Sequence, residues 1–142
     1  MKSRLRYEGY NHAKFSIKYH IILSVKYHKR ILQPIIDCVK RGLLKAQPAD
    51  GSWKILVMET DIEHHKDHHV HLLVKARPIV APSNIITRLK LFSTHEAWNE
   101  NETYLKRAFW NGKRHLWSRG FFCATVGEVS EKKVVEYIRR QE

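Results

Sequence analysis

The run Lys66-Asp67-His68-His69-Val70-His71-Leu72-Leu73-Val74 constrains the fold more than any other stretch of the chain. From Val70 to Val74 it is apolar apart from His71 and β-branched at both ends, as a buried strand should be. Residues two apart on a strand share a face, so His69 and His71 project together while Val70, Leu72 and Val74 fill the opposite face. Two imidazoles held side by side on a rigid strand form half of a metal site, and other parts of the chain must complete it.

The remaining elements follow from periodicity. Phe15, Ile17, Tyr19, Ile21, Leu23 and Val25 alternate with more polar residues and predict a strand over 14–26. Ile35, Ile36, Val39, Leu43 and Leu44 have helical spacing and predict a helix from Ile31 to about Gln47, with Pro34 in its first turn. Pro48-Ala49-Asp50-Gly51 turns the chain into a second strand, Trp53 to Thr60, which pairs antiparallel with the histidine strand across a charged connection, Asp61 to Asp67. Ser83 caps a helix to about Trp98, with Ile85, Ile86, Leu89 and Phe92 inward and Arg88 and Lys90 on or near the outer side. Residues 99 to 119 read as partly irregular. Phe121 to Val126 is a last strand, and Ser130 caps a final helix, Glu131 to about Gln141, that packs through Val134, Val135 and Ile138. The expected fold is α+β: a ferredoxin-like βαββαβ antiparallel sheet with helices on one face, plus a C-terminal tyrosine-bearing helix. The length fits a single domain over 1–142, with 1–13 a mobile N-terminal segment.

The formal charge of +12 over 142 residues suits a polyanionic partner, nucleic acid first among them. No run reaches the ~20 apolar residues of a membrane span, and no signal-peptide core follows the basic N-terminus. Two cysteines, Cys38 and Cys123, make no disulfide framework, so a cytoplasmic location is expected. The basic turn Lys26-Tyr27-His28-Lys29-Arg30 reads either as a solvated loop or as a contact to a nucleic-acid backbone. Tyr104, Phe109, Trp110 and Trp117 are interleaved with basic residues, which suits single strands whose bases stack, or equally a segment packing its aromatics on the core. Charge and position nominate Lys26, Lys29, Arg30, Arg88, Arg114 and Arg119 as phosphate contacts.

Tyr137 and Gln141, four apart on the last helix, share a face. A phenol is a nucleophile, and an amide oxygen can bind a hard divalent cation. Set near His69 and His71, they would make a site in which a metal polarises a phosphodiester and Tyr137 attacks phosphorus.

His69-Val70-His71-Leu72-Leu73-Val74 resembles the His-hydrophobe-His (HUH) motif of the single-tyrosine transposases, the TnpA enzymes of small insertion sequences that move as single-stranded DNA. Val25-Lys26-Tyr27-His28-Lys29-Arg30 is similar to that family's first strand and basic turn. Leu116-Trp117-Ser118-Arg119-Gly120-Phe121-Phe122, continuing to Thr125-Val126-Gly127, is similar to its Leu-Trp-x-x-Gly-aromatic strand. Tyr137-Ile138-Arg139-Arg140-Gln141 is similar to its nucleophile helix. The four matches lie in order from about residue 14 to the C-terminus.

The resemblance implies a homodimer with a merged sheet, in which the tyrosine helix of one subunit can complete the histidine site of the other. It implies Tyr137 as nucleophile and His69, His71 and Gln141 as ligands of Mg²⁺ or Mn²⁺. It further implies cleavage and rejoining of single-stranded DNA at hairpin-bearing element ends through a 5′-phosphotyrosine. One departure is the longer stretch Asp61 to His68, which carries His64, His65 and His68; His68 should point away from His69. Two other function classes are a non-catalytic single-stranded nucleic-acid-binding ferredoxin-like protein and a His-rich metal-binding protein.

Overall fold

The computed structural model describes residues 8–10, 13–61, 66–110 and 112–140. In chain order its elements are β1 (Glu8–Tyr10), β2 (Ala13–Phe15), β3 (Ile17–Ser24), α1 (Ile36–Lys45), β4 (Trp53–Asp61), β5 (Lys66–Ala76), α2 (Pro82–Glu100), α3 (Glu102–Ala108), β6 (Phe122–Thr125) and α4 (Glu128–Arg140). Four strands form one antiparallel sheet in the order β4-β5-β3-β6, the ferredoxin-like arrangement expected. The histidine strand β5 is thus central, paired on both sides.

The alternation on β3 and β5 sorts the two faces. Ile21, Leu23, Val70, Leu72 and Val74 are fully buried against Val39 and Leu43 of α1 and Ile85, Ile86 and Leu89 of α2. The opposite face carries a smaller cluster, in which Val135 and Ile138 of α4 cover Val57, Leu73 and Val126. The C-terminal helix therefore docks on its own sheet. Ile138 is fully buried, and burial of such a side chain contributes roughly 1.5–3 kcal/mol, which anchors the turn of helix that carries Tyr137.

Several boundaries differ from the sequence reading. Within the segment read as mobile, Glu8–Tyr10 pairs with Ala13–Phe15, while 1–7, 11 and 12 lie outside the described residues. α1 starts at Ile36 after a 3₁₀ turn over Gln33–Ile35 that accommodates Pro34. β5 already begins at Lys66, paired with Asp61, which shortens the expected connection. α4 begins at Glu128, two residues before the expected cap Ser130. A two-turn helix, α3, occupies part of the segment read as irregular. Its seven residues are too few to display a clear apolar period.

Gly42 sits at a close approach of α1 and α2. A Cβ there would lie 2.6 Å from the Ser93 Cα and 2.9 Å from the Phe92 carbonyl oxygen. Both are backbone atoms that move only if the helices separate. Gly42→Ala is accordingly expected to destabilise the protein by about 2 kcal/mol, despite alanine's better helix propensity. Urea denaturation would show a lower midpoint with an unchanged slope.

Candidate active site

The face of the sheet opposite α1 and α2 opens beside α4 into a cleft of about 490 Å³. It is lined by Ile22, Ser24, His28, His69, His71, Ser118, Gly120, Phe121, Phe122 and Tyr137. The strand register builds it: Ser24 lies opposite His69, Ile22 opposite His71, and Phe122 opposite Ile22. The His69 and His71 rings are 6.5 Å apart by centroid. The ring of Tyr137 stands nearly perpendicular to that of His71 at 5.8 Å, and Tyr137 is 48% exposed, open to a ligand in the cleft. Of the expected set, the structure brings together His69, His71 and Tyr137; Gln141 lies outside the described residues, as do His64 and His65.

His71 is backed by a residue that sequence reasoning missed. His20 on β3 stacks on it at 5.7 Å, with its Nε2 3.5 Å from His71 Nδ1. Burial, and then the neighbouring His71, lower the His20 pKa to about 4, so His20 is neutral at physiological pH. A neutral His20 can accept a long hydrogen bond from the Nδ1–H of His71, which leaves the His71 Nε2 lone pair as a ligand atom. Two imidazoles on one sheet face, one of them backed by a third, fit a divalent cation at the cleft. The sequence signal was only a histidine among the polar alternates of β3; the pairing spans 51 residues.

His68 corrects the expectation that it would point away from His69. Their ring centroids are 4.0 Å apart. The reason is a break in the β4–β5 ladder, whose partners jump from Thr60↔Val70 to Asp61↔Lys66. The intervening β5 residues are freed from strict alternation. His28 joins them from the turn after β3, with centroids 5.2 Å from His68 and 5.9 Å from His69.

The nominated phosphate contacts separate into two groups. Lys26, Lys29 and Arg30 surround the turn after β3, Lys26 over the Tyr27 ring and Lys29 over that of Phe109. Arg119 is exposed beside the cleft-lining Ser118 and Gly120. Arg114 lies farther along, over the Trp98 ring and 3.8 Å from Glu102. Arg88 does not join the cleft: its Nε donates to the Ala46 carbonyl and its guanidinium covers Phe92, within the helical layer. The interleaved aromatics mostly pack inward. Phe109 and Trp117 are buried, Trp117 donating to Ser93 Oγ, and Tyr104 donates to the Ile31 carbonyl. Trp110, at 84% exposure, is left as a stacking surface.

Lys90, placed by the sequence on or near the outer side of its helix, holds the cleft wall. Its ammonium donates to the carbonyls of Ser118, Arg119 and Gly120 at 2.8, 3.0 and 3.1 Å. Burial lowers its pKa below the usual lysine value. Lys90→Met keeps the stem and removes these bonds. Amides of residues 118–121 are then expected to exchange about tenfold faster with deuterium, the equivalent of one charge-assisted hydrogen bond of roughly 1.5 kcal/mol.

Comparison with known proteins agrees with this architecture. The family model described as "Transposase IS200 like" matches residues 13–141. The ISDra2 transposase TnpA of Deinococcus radiodurans is 27% identical over 127 residues, covering 89% of this chain and 85% of the relative. The transposase for insertion sequence element IS200 of Salmonella typhimurium is 24% identical over 135 residues, covering 92% and 80%. Among solved structures, a candidate transposase from Deinococcus radiodurans R1 superposes with a TM-score of 0.68 at 23% identity, over 95% of this chain and 97% of the other. A REP-associated tyrosine transposase bound to a REP hairpin superposes with a TM-score of 0.62 at 12% identity, over 92% and 70%. With the family model spanning all but the first residues of the sheet-and-helix unit, the chain belongs to the IS200-like transposase family.

Proposed function

We propose that this transposase cleaves and rejoins single-stranded DNA at insertion-sequence ends, with Tyr137 as the nucleophile and the chain 1–142 acting as one transposase domain. The observation that carries the reading is the perpendicular approach of the Tyr137 ring to His71, in a cleft that His69 also lines. His69 and His71, with Gln141, would hold Mg²⁺ or Mn²⁺, which when bound draws electron density from a non-bridging phosphate oxygen. The phenolic oxygen of Tyr137 attacks phosphorus and the bond to the 3′ oxygen breaks. The phenol proton leaves to solvent, and the departing strand takes up a proton as a 3′ hydroxyl. Because the 5′-phosphotyrosine retains the ester's energy, a second 3′ hydroxyl can reverse the step and join a new strand.

Ile138 and Val135 hold the nucleophile's helix against the sheet, and Lys90 fixes the opposite wall. Lys26, Lys29, Arg30, Arg114 and Arg119 are proposed to meet the phosphate backbone, with Trp110 available to stack a base. The relative bound to a REP hairpin supports a hairpin as the DNA partner. We further propose a homodimer, in keeping with the family resemblance, acting in the cytoplasm; among the described residues no helix is long and apolar enough to cross a membrane.

The test is incubation with labelled single-stranded hairpin DNA from the element's own ends, with and without Mn²⁺, followed by a denaturing gel. A metal-dependent covalent adduct is expected. Binding without an adduct would instead support a non-catalytic single-strand binder.

A further inference from the structure

Beside the proposed strand-transfer pair lies a cluster that the reaction does not use as a unit. His28, His68 and His69 each offer a ring nitrogen, and these atoms all lie within 4.8 Å of one another. Zinc–imidazole bonds of 2.0–2.1 Å in a tetrahedron put ligand atoms about 3.4 Å apart, so small side-chain rotations would close the set around one ion. We propose that His28, His68 and His69 form a second site, for a zinc-class cation, that shares His69 with the His69–His71 pair, so that zinc held there withdraws His69 from strand transfer.

The backbone supports this beyond the clustering itself. Tyr27 and His28 both have positive φ, 63° and 53°. For residues with side chains such a conformation costs of order 1 kcal/mol or more each and persists only where the surroundings enforce it. Here the His28 amide donates to the Val25 carbonyl at 2.9 Å and the Val25 amide to the His68 carbonyl at 2.7 Å. The strained turn is thereby tied to the strand it faces and aims His28 at His68 and His69. On β5 the break in the ladder puts two consecutive histidines within reach of one ion, which regular alternation would forbid. Three separate backbone features thus converge on one point.

The donor chemistry selects the metal. Three imidazole donors favour zinc and its transition-metal neighbours over the hard ions Mg²⁺ and Mn²⁺. Three protein ligands leave a fourth position open for water or a DNA phosphate. An imidazole that binds through one nitrogen serves one ion, so occupancy of this site and of the His69–His71 pair is competitive. The inhibitory half of the proposal rests on the proposed strand-transfer function; the binding half does not.

The test uses the full chain, freed of metal with a chelator, and two readouts. In the first, zinc is titrated against a chromogenic competitor and Co²⁺ serves as an optical probe of tetrahedral imidazole sites. One zinc per chain is expected. Its affinity should fall at least about a hundredfold in H28A and separately in H68N and stay within about threefold in H71A, with circular dichroism confirming the fold of each. Wild-type zinc affinity in both H28A and H68N, or a loss in H71A as large as theirs, would overturn the site. In the second, zinc is added to the Mn²⁺-dependent adduct assay. Zinc should suppress the wild type and leave H68N active; equal suppression of both would overturn the competition. Absence of any adduct in zinc-free wild type would count against the strand-transfer reading, while the titration still decides whether the zinc site exists.

Discussion

Tyr137→Phe is expected to abolish the covalent protein–DNA adduct and to lower cleavage by more than about 10⁴-fold, the scale of loss when a covalent nucleophile is removed. The substitution deletes one oxygen from a side chain that is half exposed, so stability should change by no more than about 0.5 kcal/mol. The neighbouring Ile138 and Val135 carry the packing of α4 and are untouched. Affinity for hairpin DNA should also persist, because the proposed phosphate contacts lie on other elements. The measurement pairs a denaturing gel with a binding isotherm and a thermal melt. A variant that binds, melts normally and forms no adduct isolates the chemistry to the phenol. A variant that cleaves as well as the wild type would refute the assignment of Tyr137.

The architecture was legible in the sequence because its signals are local. Alternation over Phe15–Val25 and the apolar run Val70–Val74 declare strands whichever partners they find, and the apolar face of α4 identifies Val135 and Ile138. The two-residue spacing of His69 and His71 sufficed to put both at the cleft. What escaped depends on register and on irregular backbone. His20 meets His71 only because β3 and β5 pair with Ile22 opposite His71. His28 reaches the cluster through a left-handed turn that no residue in Tyr27-His28 advertises, since neither is glycine. His68 lies beside His69 because a ladder break interrupts the alternation that the sequence alone implies. The aromatics of 99–119 are ambiguous for another reason: Trp117 hides its ring but spends its indole N–H on Ser93 Oγ, and Tyr104 packs inward while donating to the Ile31 carbonyl. Composition cannot separate that from an exposed stacking residue such as Trp110.

His71→Ala is expected to be nearly as damaging as loss of the nucleophile, and for a separable reason. His71 is 4% exposed and in contact with His20, so its removal takes away a proposed metal ligand and strands a buried partner. Cleavage should fall by roughly 10³-fold, and stability by about 1–3 kcal/mol from the partner left behind. To distinguish the two effects, His20→Ala removes only the backing group. It should weaken Mn²⁺ binding about 10–100-fold, the usual consequence of losing the partner that orients a ligating imidazole, and saturating Mn²⁺ should restore much of its cleavage. No concentration of Mn²⁺ should rescue His71→Ala. Mn²⁺ titration followed by electron paramagnetic resonance, run beside the adduct assay, reads both quantities. If His20→Ala bound Mn²⁺ like the wild type, the contact between the two rings would be packing alone. If His71→Ala retained Mn²⁺ affinity and cleavage, the cation would have to sit elsewhere in the cleft, and the three-histidine cluster of His28, His68 and His69 would then be the place to look for it.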